Sequence, residues 1–313
     1  MILSRILRIF NDPWHYIFLM LYYSRRLWSD KLYLSLIYRA KMGHWINWRS
    51  PQTFTEKIQW LKLYNRKPIY TTMVDKAEVK KYVADKIGDQ YIIPTIGGWD
   101  TVDDIEWDSL PNQFVLKTTH GGGGCGIVIC KNKENFDIAA AKKKLKKAIA
   151  SDIYYTYREW PYKNVPKRII AEKYLTSGNI SNMSDETLDL YDYKFFCFGG
   201  KVKFFKIDFG RFIEHHANYY STMGKLLDFG EIGLAPDPNI KIDLPDNLSE
   251  MIRIAEVLSN KESLIRVDLY NVQGRIYFGE LTFFPASGLG LWTKDTVDEM
   301  IGKYIKLPNG SEI

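Results

Sequence analysis

The chain has 313 residues, of which 46% are apolar and 26% charged, and its formal net charge is +6. That length allows two or three subdomains in an ordinary globular protein. So mild a positive charge suits an anionic ligand or surface and argues against a dedicated nucleic-acid groove. Cys125, Cys130 and Cys197 are odd in number and lack zinc-knuckle spacing, so a disulfide framework is disfavoured and the cytosol is the expected compartment.

In chain order, "MILSRILRIFNDPW" does not read as a secretory signal, because Asp12 and Pro13 interrupt the apolar run and no small-residue cleavage site follows. Residues 1 to about 48 read as helical and aromatic-rich. The apolar part of "WHYIFLMLYYSRRLW" is shorter than the roughly 20 residues of a bilayer span. It is either a buried helix or one lying on a membrane face, with Arg25, Arg26 and Lys31 toward lipid phosphates. Ser50-Pro51 breaks the pattern. "TFTEKIQWLKLY" then opens with Thr53 and Glu56 in capping-box spacing, and Ile58, Leu61 and the Trp60/Tyr64 pair recur at helical intervals.

"VDKAEVKKYVADKIG" predicts a helix from Asp75 to Gly88, and "YIIPTIGGWD" a short strand and turn. "FVLKTT" and "GIVICKN" read as strands flanking a loop with Gly121, Gly122, Gly123 and Gly124. "FDIAAAKKKLKKAIAS" is helical, its lysine run better read as a solvated face than as a phosphate or nucleic-acid patch. "RIIAEKYL" is a strand. "YDYKFFCFGGKVKFFKIDF" is a hairpin turning at Gly199-Gly200, and "NLSEMIRIAEVLSN" is a helix. "LIRVDLYNVQGRIYFGELTFFP" is a second hairpin with Gly274 in its turn. Strands that cluster in hairpins indicate an α+β class, not a doubly wound sheet.

Two stretches carry chemistry. The glycine loop lacks the Lys-Ser/Thr and the following helix of a Walker loop, and a dinucleotide fingerprint also needs a helix there. What remains is a strand–loop–strand lid, or a plain mobile hairpin tip. As a lid, it brings backbone N–H groups close to phosphate oxygens, with Lys117 as counter-charge at its base. The late hairpin holds Asp268 and Glu280. An odd-length loop near Gly274 would set them opposite each other on one face, with Arg266 beside them. Such a pair suits a divalent cation with phosphate oxygens, or else edge carboxylates paired with Arg or Lys. His215 and His216 are adjacent, so they point to opposite faces of a strand and do not share a ligand. One of them could serve as a base toward an amine. His120 reaches either a phosphate or the loop's own backbone.

Six blocks in order, "PQTFTEKIQWLKLY", "DKAEVKKYV", "FVLKTTHGGGG", "RIIAEKYL", "YDYKFFCFGGKV" and "GELTFFPASGLG", resemble the TupA-like ATP-grasp family, named for teichuronopeptide biosynthesis, over about residues 50 to 305. The resemblance implies an ATP-grasp fold in which two α+β subdomains clamp ATP behind a helical N-terminal region. It divides the chain into a helical part at 1–70, a lid and nucleotide subdomain at 71–173, and a C-terminal subdomain with the metal site at 174–313. It implies that Lys76 and Lys117 contact the nucleotide, that Gly121 to Gly124 close on its phosphates, and that Glu172, Lys173, Tyr174 and Leu175 form the adenine hinge. Asp268 and Glu280 become ligands of one or two Mg2+ ions. Arg266 takes the position of a transition-state arginine. Relatives such as D-alanine ligases carry Asn where this chain has Thr282, so a second metal would be held loosely or by another group. Lys194 and Arg211 are candidates for γ-phosphate or acidic-substrate contacts.

The implied activity is amide formation. ATP converts a carboxylate to an acyl phosphate, and an amine displaces the phosphate while the lid excludes water. By family analogy the acid is a uronic acid of a surface polysaccharide or its precursor, and the amine an amino acid. The enzyme would be cytoplasmic, with peripheral membrane contact through residues 1–40. A glycosyltransferase of capsule assembly is the alternative, although "VDD" and "LDLYD" match a DxD metal motif poorly. A non-catalytic ATP-binding protein is another.

Overall fold

The computed structural model describes residues 13–122, 124–176, 190–210 and 214–308. Gly123 and Arg211 therefore lie outside the described residues. Helices α1 (Pro13–Tyr23) and α2 (Asp30–Met42) form a hairpin that buries Leu21, Tyr33, Leu34 and Ile37, with Trp48, Leu63 and Tyr157 packed against them. The Thr53 capping box forms as the sequence predicts. The Thr53 hydroxyl accepts from the Glu56 amide at 3.2 Å, the Glu56 carboxylate accepts from the Thr53 amide at 3.3 Å, and α3 (Phe54–Tyr64) begins there.

The helix expected from Asp75 to Gly88 forms, but it starts three residues late. α4 (Ile69–Val74) ends before Asp75, and α5 (Glu78–Ile87) starts after it. The Asp75 carboxylate accepts from the Ala77 and Glu78 amides at 2.9 and 3.4 Å, the local bonding by which Asp competes with a continuous helix. Lys76 thus sits in a turn between two helices.

The first sheet has the order β1-β4-β2-β3, all antiparallel, from β1 (Thr95–Trp99), β2 (Phe114–Thr118), β3 (Ile127–Cys130) and β4 (Ile169–Lys173). α6 (Ile138–Ile149) covers it through Ala141 and Leu145, leaving its lysines outward, and the short α7 (Ile153–Tyr157) follows. The second sheet has the order β7-β6-β5-β8-β9, from β5 (Asp192–Phe198), β6 (Lys201–Phe209), β7 (His216–Ser221), β8 (Ile265–Val272) and β9 (Arg275–Thr282). Its apolar face shares one large core with α3, α4 and α5, with α8 (Leu248–Ser259) and with α9 (Thr296–Gly302).

Both hairpins turn where expected. Gly199 and Gly200 have φ of 55° and 86°, and Gln273 and Gly274 have 52° and 80°, the paired left-handed conformation of a tight two-residue turn. The second turn corrects the sequence reasoning. A two-residue loop pairs Val272 with Arg275, and a regular ladder would then pair Asp268 with Gly279 and send Glu280 to the opposite face. An irregularity between Asp268 and Leu269 absorbs Gly279, so Asp268 faces Glu280 after all. The expected alignment is present, but a bulge produces it and not an odd-length loop. A Cβ on Gly279 would lie 3.0 Å from the Asp268 carbonyl oxygen, which is why this position takes glycine.

Candidate functional site

Register alone assembles a row of polar residues across all five strands of the second sheet: Glu280 on β9, Asp268 on β8, Lys194 on β5, Lys206 on β6 and Tyr219 on β7. Asp192 and Asp208 face each other one pleat along, and Arg266 faces Thr282 on the other side of the row. Side chains in neighbouring rows of one face touch, and here their charges alternate. Arg266 binds Asp268 with two bonds of 2.7 Å and reaches Glu280 and Thr282 at 3.1 Å. Lys194 lies 3.0 Å from Asp268 and 3.8 Å from Asp208, and also donates to Asp192. Lys206 lies 3.5 Å from Asp208 and 3.1 Å from Glu231, which accepts from the Tyr219 hydroxyl at 2.9 Å.

Burial makes this arrangement costly to break. Asp192, Lys194, Lys206, Asp208 and Asp268 are all buried. Burial by itself would lower the Lys194 pKa, but Asp192 and Asp268 outweigh it and raise it. Burial likewise opposes ionisation of Glu280, yet Lys76, Arg266 and Lys194 hold its carboxyl down at about 2.

Above this floor lies the glycine loop. Thr118, at the end of β2, tucks its hydroxyl under the loop, and a Cβ on Gly121 or Gly126 would come within 2.5 or 2.1 Å of that oxygen. Lys76 joins loop and floor, donating to the Gly121 carbonyl and lying 3.5 Å from Glu280. A cleft between them is lined by Lys76, Thr118, Gly121, Gly122, Gly124 and Glu280. Beside it, Glu172 on β4 is clamped by Lys117 and Lys80, each at 2.6 Å, in a second recess with Val79, Ile93 and Phe278. Burial would raise the Glu172 pKa, and the two lysines outweigh it and lower it.

The fold thus brings together Lys76, Lys117, Gly121, Gly122, Gly124, Glu172, Lys194, Arg266, Asp268, Glu280 and Thr282. Lys173 closes β4 with an exposed side chain, its amide donating to Pro94, and Tyr174 and Leu175 follow the strand half-buried. The expectation that both histidines lie on a strand is corrected: β7 begins at His216, and His215 stands just before it, so their separate contacts do not come from the strand period. His215 approaches Asp208 at 3.5 Å, whereas His216 bonds the Ala235 carbonyl at 2.8 Å and stacks on Phe209. His120 is buried at the base of the loop, where burial and Lys167 lower its pKa.

Sequence reasoning missed Lys80, Asp192, Lys206 and Glu231. Asp192 and Lys206 share the strand period of Lys194 and Asp208, a signal present in "DYK" and "KID". Lys80 lies in the first turn of α5, four residues after Lys76 in the preceding turn. Glu231 sits in an irregular segment that no pattern marks. Also unmarked is a buried group beyond Arg266, where Lys62 donates to Gln59 and to the Ser287 carbonyl, and the Ser287 hydroxyl donates to Glu159. Ala286 and Ser287 hold φ of 47° and 54° there, a strained backbone for side chains other than glycine.

As to a metal, Asp268, Glu280 and Thr282 offer hard oxygens on one face, a donor set that fits magnesium. Among the described residues no three His, Cys, Asp or Glu side chains converge as a cage. Two carboxylates completed by phosphate oxygens is a usual form of magnesium site.

Among solved structures, the D-alanine–D-alanine ligase of Bacillus anthracis complexed with ATP is 15% identical at a TM-score of 0.39, over 68% of this chain and 54% of that one. The Helicobacter pylori D-alanine–D-alanine ligase is 14% identical at 0.42, over 81% and 69%. An ADP complex of N5-carboxyaminoimidazole ribonucleotide synthetase is 15% identical at 0.42, over 73% and 50%. The chain spans little more than half the length of the first of these, and none of these likenesses bears on what it does. No curated protein matches by sequence. The TupA-like ATPgrasp family model matches residues 56–306, a stretch that contains both sheets, the glycine loop and the charged floor. The chain belongs to the TupA-like ATPgrasp family.

Proposed function

We propose that this protein is an ATP-dependent carboxylate–amine ligase. The observation that carries the reading is the pairing of Asp268 with Glu280 across β8 and β9, beneath a glycine loop joined to them by Lys76. Magnesium bound through these carboxylates would draw charge from the phosphates as an anionic acid approaches. The chain's own groups do the rest. Lys76 and Lys117 exchange their present carboxylate partners, Glu280 and Glu172, for phosphate oxygens. Arg266 stabilises charge on the transferring phosphoryl group. Lys194 helps fix the Asp268 carboxylate, donating to the Oδ2 that Arg266 also holds. The loop at Gly121 to Gly124 shields the acyl phosphate from water until an amine attacks. Glu172 to Leu175 form the adenine hinge in this reading.

The substrate side rests on the family. The acid is a uronic acid of a surface polysaccharide or its precursor, and the amine an amino acid. Such an acceptor places the enzyme at the cytoplasmic face of the membrane, with residues 1–40 in peripheral contact. The test is incubation with ATP, magnesium, hydroxylamine and a panel of uronic acids. ADP release with hydroxamate formation is expected, and Asp268→Ala or Glu280→Ala should abolish both. Hydrolysis of a sugar-nucleotide donor without ATP turnover would overturn the ligase reading in favour of a glycosyltransferase. Unchanged turnover in both variants would overturn the metal assignment.

A further inference from the structure

The net charge is not spread over the chain. Eight of its 43 Lys and Arg but only two of its 37 Asp and Glu fall within residues 1–50, so this stretch carries the whole +6 and the remaining 263 residues balance at 35 of each sign. The same region carries an apolar ridge. Leu19, Met20 and Tyr23 point outward from α1, Leu27 stands at the α1–α2 turn with 84% of its surface exposed, and Leu32 continues the ridge on α2. The opposite face, with Leu21, Leu34 and Ile37, is core. The helical hairpin is therefore apolar on both sides, while the body it packs on is electrically neutral overall.

The ridge is rigidly mounted. Arg158, fully buried, donates to the carbonyls of Arg25 and Trp28, pairs with Asp30 at 2.8 Å and stacks over Tyr33 at 4.2 Å. Asp30 also binds Arg66 at 2.7 Å and the Tyr154 hydroxyl at 2.8 Å. The backbone that displays Leu27 is thus held from beneath by the residues just after α7. α7, whose end carries Arg158, begins with Ile153, which lies 3.9 Å from a Cβ built on Gly122, so the element that mounts the ridge also borders the glycine loop.

From this juxtaposition of an exposed apolar ridge with the basic residues of the α1–α2 hairpin, Arg25, Arg26, Lys31, Arg39 and Lys41, we infer that the outer face of α1 and α2 docks on an anionic lipid surface. The ridge enters the headgroup–acyl boundary, and Arg26 and Lys31 face lipid phosphates. Among the described residues no helix is long and apolar enough to cross a bilayer, so the hairpin lies on the surface. A nucleic acid would use the charge but leave Leu27 and Tyr23 without a role. This deepens the peripheral contact of the ligase reading but depends only on the N-terminal helices, and its test reads lipid and not turnover.

The experiment is flotation of the purified full-length chain with vesicles of phosphatidylcholine alone or mixed with phosphatidylglycerol, at low and high salt. Binding to the anionic vesicles, weakened by salt, is expected. Leu27→Glu, at an exposed site whose loss leaves the core intact, should lower partitioning by about tenfold or more with an unchanged melting temperature. Lys31→Glu should lower it by about fivefold or more. Equal partitioning of wild type and Leu27→Glu would overturn the inference, as would failure to float with anionic vesicles. Capture by RNA that Lys31→Glu abolishes and Leu27→Glu spares would overturn it in favour of a nucleic acid. Self-association that Leu27→Glu abolishes, without vesicle binding, would overturn it in favour of a second copy.

Discussion

Lys194→Met tests the charged floor most directly. Methionine has nearly the length of the lysine stem, so the change removes a charge and little volume. Lys194 is 6% exposed and serves three carboxylates: Asp192 in direct contact, Asp268 at 3.0 Å and Asp208 at 3.8 Å. Removing one partner of a buried ion pair costs about 3–5 kcal/mol. Arg266 still holds Asp268 through two bonds and Lys206 still approaches Asp208 at 3.5 Å, so the low end, about 3 kcal/mol, is expected. Urea unfolding at neutral pH measures it as a shift in midpoint at constant slope. The double variant Lys194→Met/Asp268→Asn should recover part of the loss, because it removes a stranded charge. ADP release should fall in the single variant, since Asp268 loses one of its two cationic guides. A single variant that unfolds at the wild-type urea concentration and turns over ATP normally would refute the claim that Lys194 compensates this cluster.

Other outcomes follow from the same geometry. Gly279→Ala forces a methyl to 3.0 Å from a backbone carbonyl that has little room to move, and should destabilise by about 1–3 kcal/mol in thermal melts. It should also impair metal-dependent nucleotide binding more than Gly274→Ala does, because only Gly279 sets the face of Glu280. The Glu280 carboxyl is held at about 2, below its ordinary 4.5. Its contribution to stability is therefore complete above about pH 4.5 and is lost as pH falls from there toward 2. Melting temperature against pH should show a shallower acid limb in Glu280→Gln across that window. Lys80→Ala removes one of the two clamps on Glu172 and should weaken ATP binding by titration calorimetry, while hydroxamate formation at saturating ATP changes less.

The amino-acid sequence by itself determined the local pieces. Thr53 and Glu56 specify a helix start, Gly199-Gly200 a tight turn and Gly274 the place of a second turn though not its length, and the strand period places Asp268, Lys194 and Arg266 on particular faces. These signals act over a few residues, where backbone sterics and side-chain capping dominate. The glycine loop stood out in the sequence for a similar reason. Glycine is costly, and its conformational freedom needs a use.

Only the tertiary structure decided which pieces meet. Gly279 is an unremarkable glycine in the sequence, yet as a bulge it reverses the face that simple register would give Glu280. Lys206 and Asp192 join the floor because β5 lies between β6 and β8, a pairing set by packing of the whole sheet. Glu231 enters from a segment without periodicity. Arg266 stands between the two carboxylates that the sequence suggested for a metal, so both readings of that hairpin, ion pair and metal site, concern the same atoms. The N-terminal helices show the same division. Their apolar residues were plain in the sequence, but which face is core and which is exposed was fixed by the body they pack on. Cross-strand partners and buried faces are long-range choices, made by the sum of many contacts and not by any residue's neighbours in the chain.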